Sequence, residues 1–366
     1  MATGMTADVN GPIRVLVVDD SAYMRFTITR YLNDVPDIQV VGTARDGEEA
    51  LDMISRLNPQ VITLDVEMPR LDGLSTLQEI MRIQPRPVIM LSSLTKEGAQ
   101  ETVRALTLGA VDFVAKPDSK ANIQVVMDEI VQKIRRAAQV KARALVQTDW
   151  STPGSEEILD RVSSKLTRPW QESDVLIVIG ASTGGPRALS ALIPALPQNL
   201  NAAMLIVQHM PAGFTRSLAH RLDSLSAFRI KEAAPGDRLE VGLGLVAPGG
   251  FHLTLDAQGT VQLNQNPPVH GVRPAVDVTL LSVAQHFASR TLAVILTGMG
   301  NDGANGAALI HAAGGYVIAE DETTAVVWGM PRSVVEARAA NAVLPLSAMA
   351  AKIEHLVRQF NGGWRD

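Results

Sequence analysis

The sequence predicts an α/β protein with two domains, each built around a mostly parallel β-sheet. Its 366 residues are more than a single hydrophobic core usually serves. Hydrophobic residues make up 46% of the chain and aromatic residues only 4%, a balance typical of aliphatic parallel sheets covered by helices. Short aliphatic runs alternate with longer amphipathic runs, which is the pattern of repeated βα units.

The first half contains five aliphatic runs that predict the strands of one doubly wound parallel sheet. In chain order they read IRVLVV, IQVVGT, VITL, PVIML and DFVA. Amphipathic stretches between and after these runs predict helices near residues 22–33, 47–57, 97–108 and 119–139. We expect this domain to span residues 1–139.

A polar segment separates the two halves. Residues 140–173 mix charged residues, serine, threonine and proline without a strand pattern. Such a composition predicts a linker, with room for one short helix near residues 155–166. The second domain then spans residues 174–366.

The second half begins again with a strand followed by a helix. The strands VLIVIG and AAMLIVQ alternate with helices from about Pro186 and near 213–223. From Gly236 to Leu263, alternating apolar residues and glycine turns predict antiparallel hairpins inserted into a mostly parallel, doubly wound sheet. The predicted order then continues with a helix near 275–288, the strand TLAVILT, a helix from about Gly303, the strand YVIAE and a closing helix near 345–360.

Composition excludes several classes of protein and of site. A net charge of -5 argues against nucleic-acid binding. The absence of cysteine removes disulfides, thiolate metal sites and cysteine nucleophiles. The N-terminal residues do not resemble a signal peptide, and no apolar run approaches the roughly 18 residues that a membrane span needs. We therefore expect a cytoplasmic protein without membrane insertion.

Acidic side chains gather at strand ends in the first half. Asp19 and Asp20 follow LVV, and Asp65 follows VITL. The carboxyl ends of parallel strands face one crevice, and oxygen ligands of this kind favour Mg²⁺. Ser92 and Lys116 follow two further strands, so the group suits phosphoryl transfer to Asp65. A helix cap is the more common account of any single strand-end aspartate, but it explains this whole group poorly.

Three segments of the first half resemble the signatures of two-component receiver domains. They read VLVVDDS, LDVEMPRLDG and VAKP, and the resemblance spans about residues 13–135. It implies a flavodoxin-like fold and phosphorylation of Asp65 by a histidine kinase. It further implies Mg²⁺ bound by Asp20, Asp65 and the Glu67 carbonyl with help from Asp19, phosphoryl contacts from Ser92 and Lys116, and an aromatic switch at Phe113.

The second half contains a GxSxG motif between a predicted strand and a predicted helix. Residues 180–184 read GASTG and follow the apolar run VLIVI. A turn of this kind projects the serine oxygen above the sheet, and backbone N–H groups at the helix start point into the same space. Ser182 is therefore a candidate nucleophile, and it needs a base within hydrogen-bond reach.

The candidate base and its partner come from two other strand ends. His209 follows AAMLIVQ on the same predicted edge as Ser182, and Asp302 lies in TGMGNDGANG beyond TLAVILT. His252, in a predicted hairpin strand, and His270, in a loop, are weaker candidates for the base. Predicted helices contain the other histidines, where a solvated or packed imidazole is the simpler interpretation: His220, His286, His311 and His355.

Two other functions stay open on the local pattern alone. GASTGG could bind a phosphate or a dinucleotide at a helix N-terminus, although it lacks the Lys-Ser/Thr pair of a P-loop and the full dinucleotide spacing. A receiver could also precede a DNA-binding domain. Residues 174–366, however, carry 13 Lys and Arg against 14 Asp and Glu and offer no basic recognition helix.

Four segments of the second half resemble the catalytic domain of chemotaxis protein-glutamate methylesterases, a family with a receiver in front. They read IGASTGGPRAL, VQHMPAGFT, VAPGG and ILTGMGNDGA, with Asn301 where alanine is expected. The resemblance implies hydrolysis of γ-methyl glutamate esters and deamidation of glutamines on methyl-accepting chemotaxis receptors, without a cofactor for the esterase reaction. It implies Ser182 as nucleophile, His209 as general base, Asp302 as its partner, and an oxyanion site at the Met299 N–H with Thr183 nearby.

Overall fold

The computed structural model describes residues 11–117, 122–140, 145 and 165–362, which form two compact units. The helix predicted near residues 155–166 lies almost wholly outside the described residues, as does most of the predicted linker.

The first unit is a five-stranded sheet flanked by helices, and all of its strand pairs are parallel. The strand order is β2-β1-β3-β4-β5, which confirms the flavodoxin-like prediction. One helix, α3, was expected from the count of βα units but had no predicted range. The elements are β1 (Ile13–Val18), α1 (Ala22–Asn33), β2 (Ile38–Ala44), α2 (Gly47–Leu57), β3 (Val61–Asp65), α3 (Gly73–Ile83), β4 (Val88–Ser92), α4 (Lys96–Leu108), β5 (Asp112–Ala115) and α5 (Ile123–Ala137).

Aspartate caps fix where two of these helices begin. The side chain of Asp46 accepts a hydrogen bond from Glu49 N at 3.0 Å, and that of Asp72 accepts one from Ser75 N at 2.7 Å. Each cap satisfies a backbone donor that the first helical turn leaves unpaired. The cap explanation therefore holds for these two aspartates, whereas Asp65 is the last residue of a strand.

The second unit contains a seven-stranded sheet in the order β16-β15-β14-β7-β8-β11-β9, and every neighbouring pair is parallel. The doubly wound, mostly parallel prediction is confirmed. Its strands are β6 (Arg168–Pro169), β7 (Val175–Ala181), β8 (Ala202–Gln208), β9 (Arg229–Glu232), β10 (Glu240–Val241), β11 (Leu243–Val246), β12 (His252–Leu255), β13 (Val261–Asn264), β14 (Thr291–Ile295), β15 (Tyr316–Glu320) and β16 (Ala342–Leu344). Its α-helices are α6 (Gly185–Leu192), α7 (Phe214–Leu225), α8 (Val276–Ala284), α9 (Ala304–Ala312), α10 (Met330–Glu336) and α11 (Leu346–Gly362).

The region predicted to be wholly antiparallel is divided between two kinds of pairing. β12 and β13 form the expected antiparallel hairpin, and β10 pairs antiparallel with β6. β11, in contrast, enters the main sheet between β8 and β9 and is parallel to both, so that part of the prediction was wrong. All four of its residues are buried, and a short continuous apolar run of this kind fits a parallel strand covered on both faces.

Four elements of the second unit were not predicted: β6, β9, α10 and β16. Of these, β6 lies in the segment expected to be a linker without strands, and its pairing with β10 makes the end of that segment part of the second unit. The helix expected near 275–288 ends at Ala284, so His286 lies in the turn beyond α8 and not within the helix. Among the described residues, no helix has the length and apolar character that crossing a membrane requires.

Both sheets change winding direction next to their first strand. In the first sheet, β1 lies between β2 and β3; in the second, β7 lies between β14 and β8. Ligands of open parallel sheets bind beyond the carboxyl ends of the strands at such a switch point. The fold therefore provides one crevice beside Asp19 and Asp65, and a second beside Ser182.

Candidate functional sites

The predicted phosphorylation site combines three carboxylates with one lysine. Asp19 and Asp65 are buried at the ends of β1 and β3, and Asp20 is exposed. Lys116 Nζ lies 2.7 Å from Asp65 Oδ2 and 3.0 Å from Asp19 Oδ2. The ammonium group thus joins the two buried carboxylates, as expected if it later contacts a phosphoryl group on one of them.

Burial makes Asp65 an unusual carboxylate. Desolvation and the adjacent charge of Asp19 raise the pKa of Asp65 to about 6, although Lys116 and the Glu67 N–H oppose the rise. Desolvation lowers the pKa of Lys116, whereas the carboxylates of Asp65 and Asp19 raise it. The effect of the carboxylates is the larger, so the pKa of Lys116 is raised. A cation near Asp65 would keep it ionised and nucleophilic at neutral pH.

The acidic cluster fits the predicted metal. Asp19, Asp20 and Asp65 can each offer one carboxylate oxygen, and these three atoms lie within 4.8 Å of one another. A donor set made only of oxygen suits Mg²⁺. Of the other predicted residues, Glu67 contacts the cluster, since its N–H donates to Asp65 Oδ1 at 3.4 Å. Ser92 is buried at the end of β4, and Phe113 is buried in β5. Their roles stay predictions.

The predicted nucleophile, Ser182, lies directly after β7 and is half-buried. Its N–H donates to Thr297 O at 3.0 Å, and its carbonyl accepts from Gly185 N at 2.7 Å. The turn needs a left-handed residue at 184, where glycine has φ +80°. The backbone around Ser182 is thereby fixed from both sides before α6 begins.

The predicted base, His209, lies directly after β8, the strand next to the one that Ser182 follows. Ala181 pairs with Gln208 across β7 and β8, so Ser182 and His209 both follow paired residues, and His209 N donates to Ala181 O at 3.0 Å. Within the described part of the chain, the Ser182 hydroxyl makes no hydrogen bond to the imidazole. Such bonds often form only when substrate is bound.

The imidazole of His209 is held by Asp302. His209 Nε2 lies 2.7 Å from Asp302 Oδ2, so Nδ1 is the ring nitrogen left to accept a proton from Ser182. Both side chains are largely shielded from water, with 9% and 2% of their surface exposed. A bond of this kind orients an imidazole and stabilises its protonated form.

Asp302 is prepared as an anion by its surroundings. Its two oxygens accept hydrogen bonds from Val276 N at 2.6 Å and Asp277 N at 2.8 Å. Burial opposes ionisation, but the hydrogen bond and charge of His209 and the two backbone donors outweigh it, so the pKa of Asp302 is lowered. Asp302 is therefore ionised at neutral pH.

The predicted oxyanion turn lies against the serine. A Cβ atom on Gly298 would lie 2.8 Å from Ser182 Cβ and 2.3 Å from Met330 Sδ, so only glycine permits this approach. Met299, the residue after Gly298, has 45% of its surface exposed. Thr183, the residue after Ser182, is buried. The turn after β14 thus borders the space above the nucleophile.

Gln208 is a buried residue that the sequence reasoning missed. Its Nε2 donates to Ser182 O at 2.9 Å and to His209 O at 3.2 Å, so one amide joins the segments of nucleophile and base. A Cβ atom on Gly185 would lie 2.0 Å from Gln208 Oε1, which explains the second glycine of the GG pair. The available signal was a polar residue ending an otherwise apolar strand.

Glu320 was also missed, and it supports the same turns from behind. Its carboxylate accepts hydrogen bonds from Thr297 N at 2.7 Å and Thr324 Oγ1 at 3.0 Å. Thr297 Oγ1 in turn donates to Thr183 O at 2.9 Å. Complete burial raises the pKa of Glu320 to about 7, even though these donors oppose the rise.

This raised pKa predicts a pH-dependent stability. Because the pKa of Glu320 lies above its unfolded value, its contribution is fully present at pH 4 and is lost as pH rises through 7. Replacing Glu320 by glutamine should therefore reduce the fall in unfolding free energy between pH 5 and pH 8 by about 2–3 kcal/mol. Urea unfolding followed by tryptophan fluorescence measures this, because all four tryptophans follow residue 149. An equal fall in both proteins would contradict the assignment.

The other histidines of the second unit differ in their distance from the Asp302 carboxylate and in their exposure. His252 is buried in β12, where Nε2 lies 3.2 Å from Pro267 O, so it has a structural partner. His220, His311 and His355 are exposed on helices. His270 lies in a loop with Nε2 2.8 Å from Asp277 Oδ2, beside Asp302. Of the six alternatives to His209, only His270 reaches this site.

Comparison with known proteins agrees with both halves of the chain. The family model described as CheB methylesterase matches residues 177–353, and that described as response regulator receiver domain matches residues 15–128. A protein-glutamate methylesterase/protein-glutamine glutaminase of Symbiobacterium thermophilum is 53% identical, over 96% of this chain and 99% of the relative. A protein of the same name from Thermotoga maritima is 47% identical, over 94% of this chain and 98% of the relative. Another from Pyrococcus abyssi is 44% identical, over 96% of this chain and 95% of the relative. The chain therefore belongs to the CheB methylesterase family, with a response regulator receiver domain in front of the methylesterase domain.

Proposed function

We propose that this protein hydrolyses γ-methyl esters of glutamate side chains on chemotaxis receptors, and deamidates glutamine side chains, through Ser182, His209 and Asp302. The observation that carries the proposal is the 2.7 Å bond between His209 and Asp302 at the sheet edge where Ser182 also lies. The names of the full-length relatives support both activities. The family matches support one domain within residues 1–139 and a second within 174–366. The pairing of β6 with β10 extends the second domain into the end of the proposed linker at 140–173.

Acylation begins when the Ser182 oxygen attacks the ester carbonyl. His209 Nδ1 accepts the hydroxyl proton, and Asp302 stabilises the imidazolium that results. The Met299 backbone N–H donates to the oxyanion of the tetrahedral intermediate, with Thr183 nearby. The intermediate collapses when His209 returns the proton to the methoxy oxygen, so methanol leaves and a glutamyl ester of Ser182 remains.

Deacylation repeats these steps with water as the nucleophile. His209 takes a proton from water as its oxygen attacks the ester, then gives the proton to Ser182 Oγ as the ester bond breaks. The product is a glutamate carboxylate. A glutamine side chain follows the same route, with ammonia as the leaving group.

Methanol release tests this activity. Purified protein incubated with a receptor fragment carrying methylated glutamates should release methanol, and a fragment with glutamine at those positions should release ammonia. Calorimetry with ATP and NAD covers the alternative that GASTGG binds a nucleotide. Nucleotide binding without methanol release would overturn the proposal.

We further propose that phosphorylation of Asp65 by a histidine kinase raises this activity. The buried Asp65 carboxylate beside Lys116 supports the role of phosphoryl acceptor. Mg²⁺ bound by Asp19, Asp20, Asp65 and the Glu67 carbonyl would neutralise charge on the transferred phosphoryl group. Ser92 and Lys116 would then contact its oxygens, and Phe113 would respond as the switch residue. The phosphoryl group acts by shifting the equilibrium between a less active and a more active form.

Asp65→Asn should separate basal from stimulated activity. The amide cannot accept a phosphoryl group, so the kinase should no longer stimulate methanol release, whereas the unstimulated rate persists because Ser182 is unchanged. Asp52→Asn, at an exposed position of α2, is the matched control and should keep full stimulation. Paired phosphorylation and methanol assays measure both effects. Undiminished kinase stimulation in Asp65→Asn would contradict this assignment.

A further inference from the structure

A second histidine–aspartate pair lies beside the first. His270 Nε2 is 2.8 Å from Asp277 Oδ2 and 3.9 Å from Asp302 Oδ1. The Asp277 side chain is 2% exposed, whereas that of His270 is 25% exposed. The partner of the proposed base therefore has a buried carboxylate as its neighbour, and that carboxylate has its own imidazole.

Asp277 is fixed in this position by several hydrogen bonds. Its backbone N–H donates to Asp302 Oδ1 at 2.8 Å, and its own Oδ1 accepts from Gly306 N at 2.8 Å. Asn305 Nδ2 lies 3.4 Å from Asp277 Oδ2. One residue thus contacts Asp302 through its backbone and presents a second carboxylate to the same region.

Two adjacent carboxylates out of water repel each other unless cations compensate them. His209 can compensate Asp302 only while it is protonated, which is the state that cannot accept the serine proton. His270 Nε2 lies 2.8 Å from Asp277 Oδ2, so a protonated His270 can compensate Asp277 independently of the state of His209. Without that compensation, the charge of Asp277 would add to that of Asp302 and favour the protonated form of His209, because buried charges interact strongly.

Arg273 is charged and lies close in sequence to His270 and Asp277, but within the described residues it makes no ion pair with Asp277 or Asp302. Arg273, in the loop that carries His270, donates to the carbonyl oxygens of Gln265 and Asn266 at 2.8 and 2.9 Å. At the start of α9, the group facing Asp277 is the neutral Asn305. Within the described ranges, the ion pairs of Asp277 and Asp302 are those with His270 and His209 alone.

We propose that His270 is a positioning residue for ester hydrolysis: paired with Asp277, it cancels the charge next to Asp302 and so sets the pH range in which His209 acts as a base. This inference rests on the proposed function of Ser182, His209 and Asp302. His270 acts through Asp277 and Asp302, and touches no reacting atom in the proposed reaction.

The test is the pH profile of kcat/KM for methanol release by the full-length protein. In His270→Gln, Asp277 loses the imidazole that can carry a compensating positive charge. The acid limb of the profile, where activity falls as His209 becomes protonated, should therefore move to higher pH by roughly 0.5–1 unit. Adding Asp277→Asn to this variant removes the uncompensated negative charge. The acid limb of the double variant should therefore return to the pH at which it lies in the wild type. His270→Lys keeps a cation beside Asp277 and should also stay near wild type. His220→Gln, at an exposed position of α7, is the matched control.

The outcomes separate this inference from the function on which it rests. If wild type releases no methanol in a Ser182-dependent way, the proposed function fails first. If wild type is active but His270→Gln keeps its acid limb, the inference is wrong. The inference is also wrong if the acid limb of the double variant moves further to higher pH. If His270 and Asp277 only supported the structure, the effects of the two substitutions would add and would not cancel.

Discussion

Replacing Ser182 by alanine is expected to lower methanol release by roughly 10⁴-fold or more, the range in which loss of a serine nucleophile falls. The substitution removes one half-buried oxygen and leaves the backbone bond from residue 182 to Thr297 O intact. We therefore expect substrate binding and thermal stability to stay near wild type. The loss then reports the missing nucleophile.

Ser224→Ala is the matched control for this experiment. Ser224 is exposed on α7, and its hydroxyl donates to Arg221 O at 2.8 Å within the same helix. Its variant should release methanol at the wild-type rate. A Ser182→Ala protein that also keeps the wild-type rate would remove Ser182 from the reaction.

Replacing Asp302 by asparagine should lower kcat by roughly 10⁴-fold, the loss seen when an orienting aspartate is changed to its amide. Each carboxylate oxygen of Asp302 accepts a backbone N–H, from Val276 or from Asp277. An amide has only one acceptor oxygen, so its NH₂ group must face a backbone donor or the imidazole. His209 then loses both its orientation and the charge that stabilises its protonated form.

Steady-state methanol release together with thermal unfolding measures this effect. Glu336→Gln is a suitable control because Glu336 is exposed and pairs only with Arg332 among the described residues. We expect Asp302→Asn to lose some stability as well, since a buried donor becomes unsatisfied. A kcat within tenfold of wild type would show that Asp302 does not orient the base.

Much of the fold could be predicted because its signals are local. Aliphatic runs ending in Asp19, Asp65, Gln208 and Glu320 are continuous in sequence, and their burial in parallel strands follows from their composition. The strand Leu243–Val246 was assigned to the wrong kind of pairing for the same reason. Its glycine-flanked pattern is also that of a hairpin, and only its non-local partners β8 and β9 decide between the two.

The candidate site likewise contains residues that the sequence could predict and residues that it could not. Ser182, His209 and Asp302 each follow a recognisable strand, so the edge they share could be predicted. The roles of Gln208, Glu320 and the His270–Asp277 pair could not be predicted. Gln208 and Glu320 reach the site through Ser182 and Thr297, which are 26 and 23 residues away in sequence, and His270 lies in an irregular loop. Hydrophobic periodicity contains no information about which buried polar groups meet.

If His209 and Asp302 make Ser182 nucleophilic, the covalent intermediate must form on Ser182, and locating that intermediate is the most direct test. Rapid acid quench of the protein with a methylated receptor peptide, followed by peptide mass mapping, should find the glutamyl ester on the fragment containing Ser182. The same ester should form far more slowly in His209→Gln. An adduct on another residue, or methanol release with no adduct at Ser182 under conditions that trap one, would contradict the account.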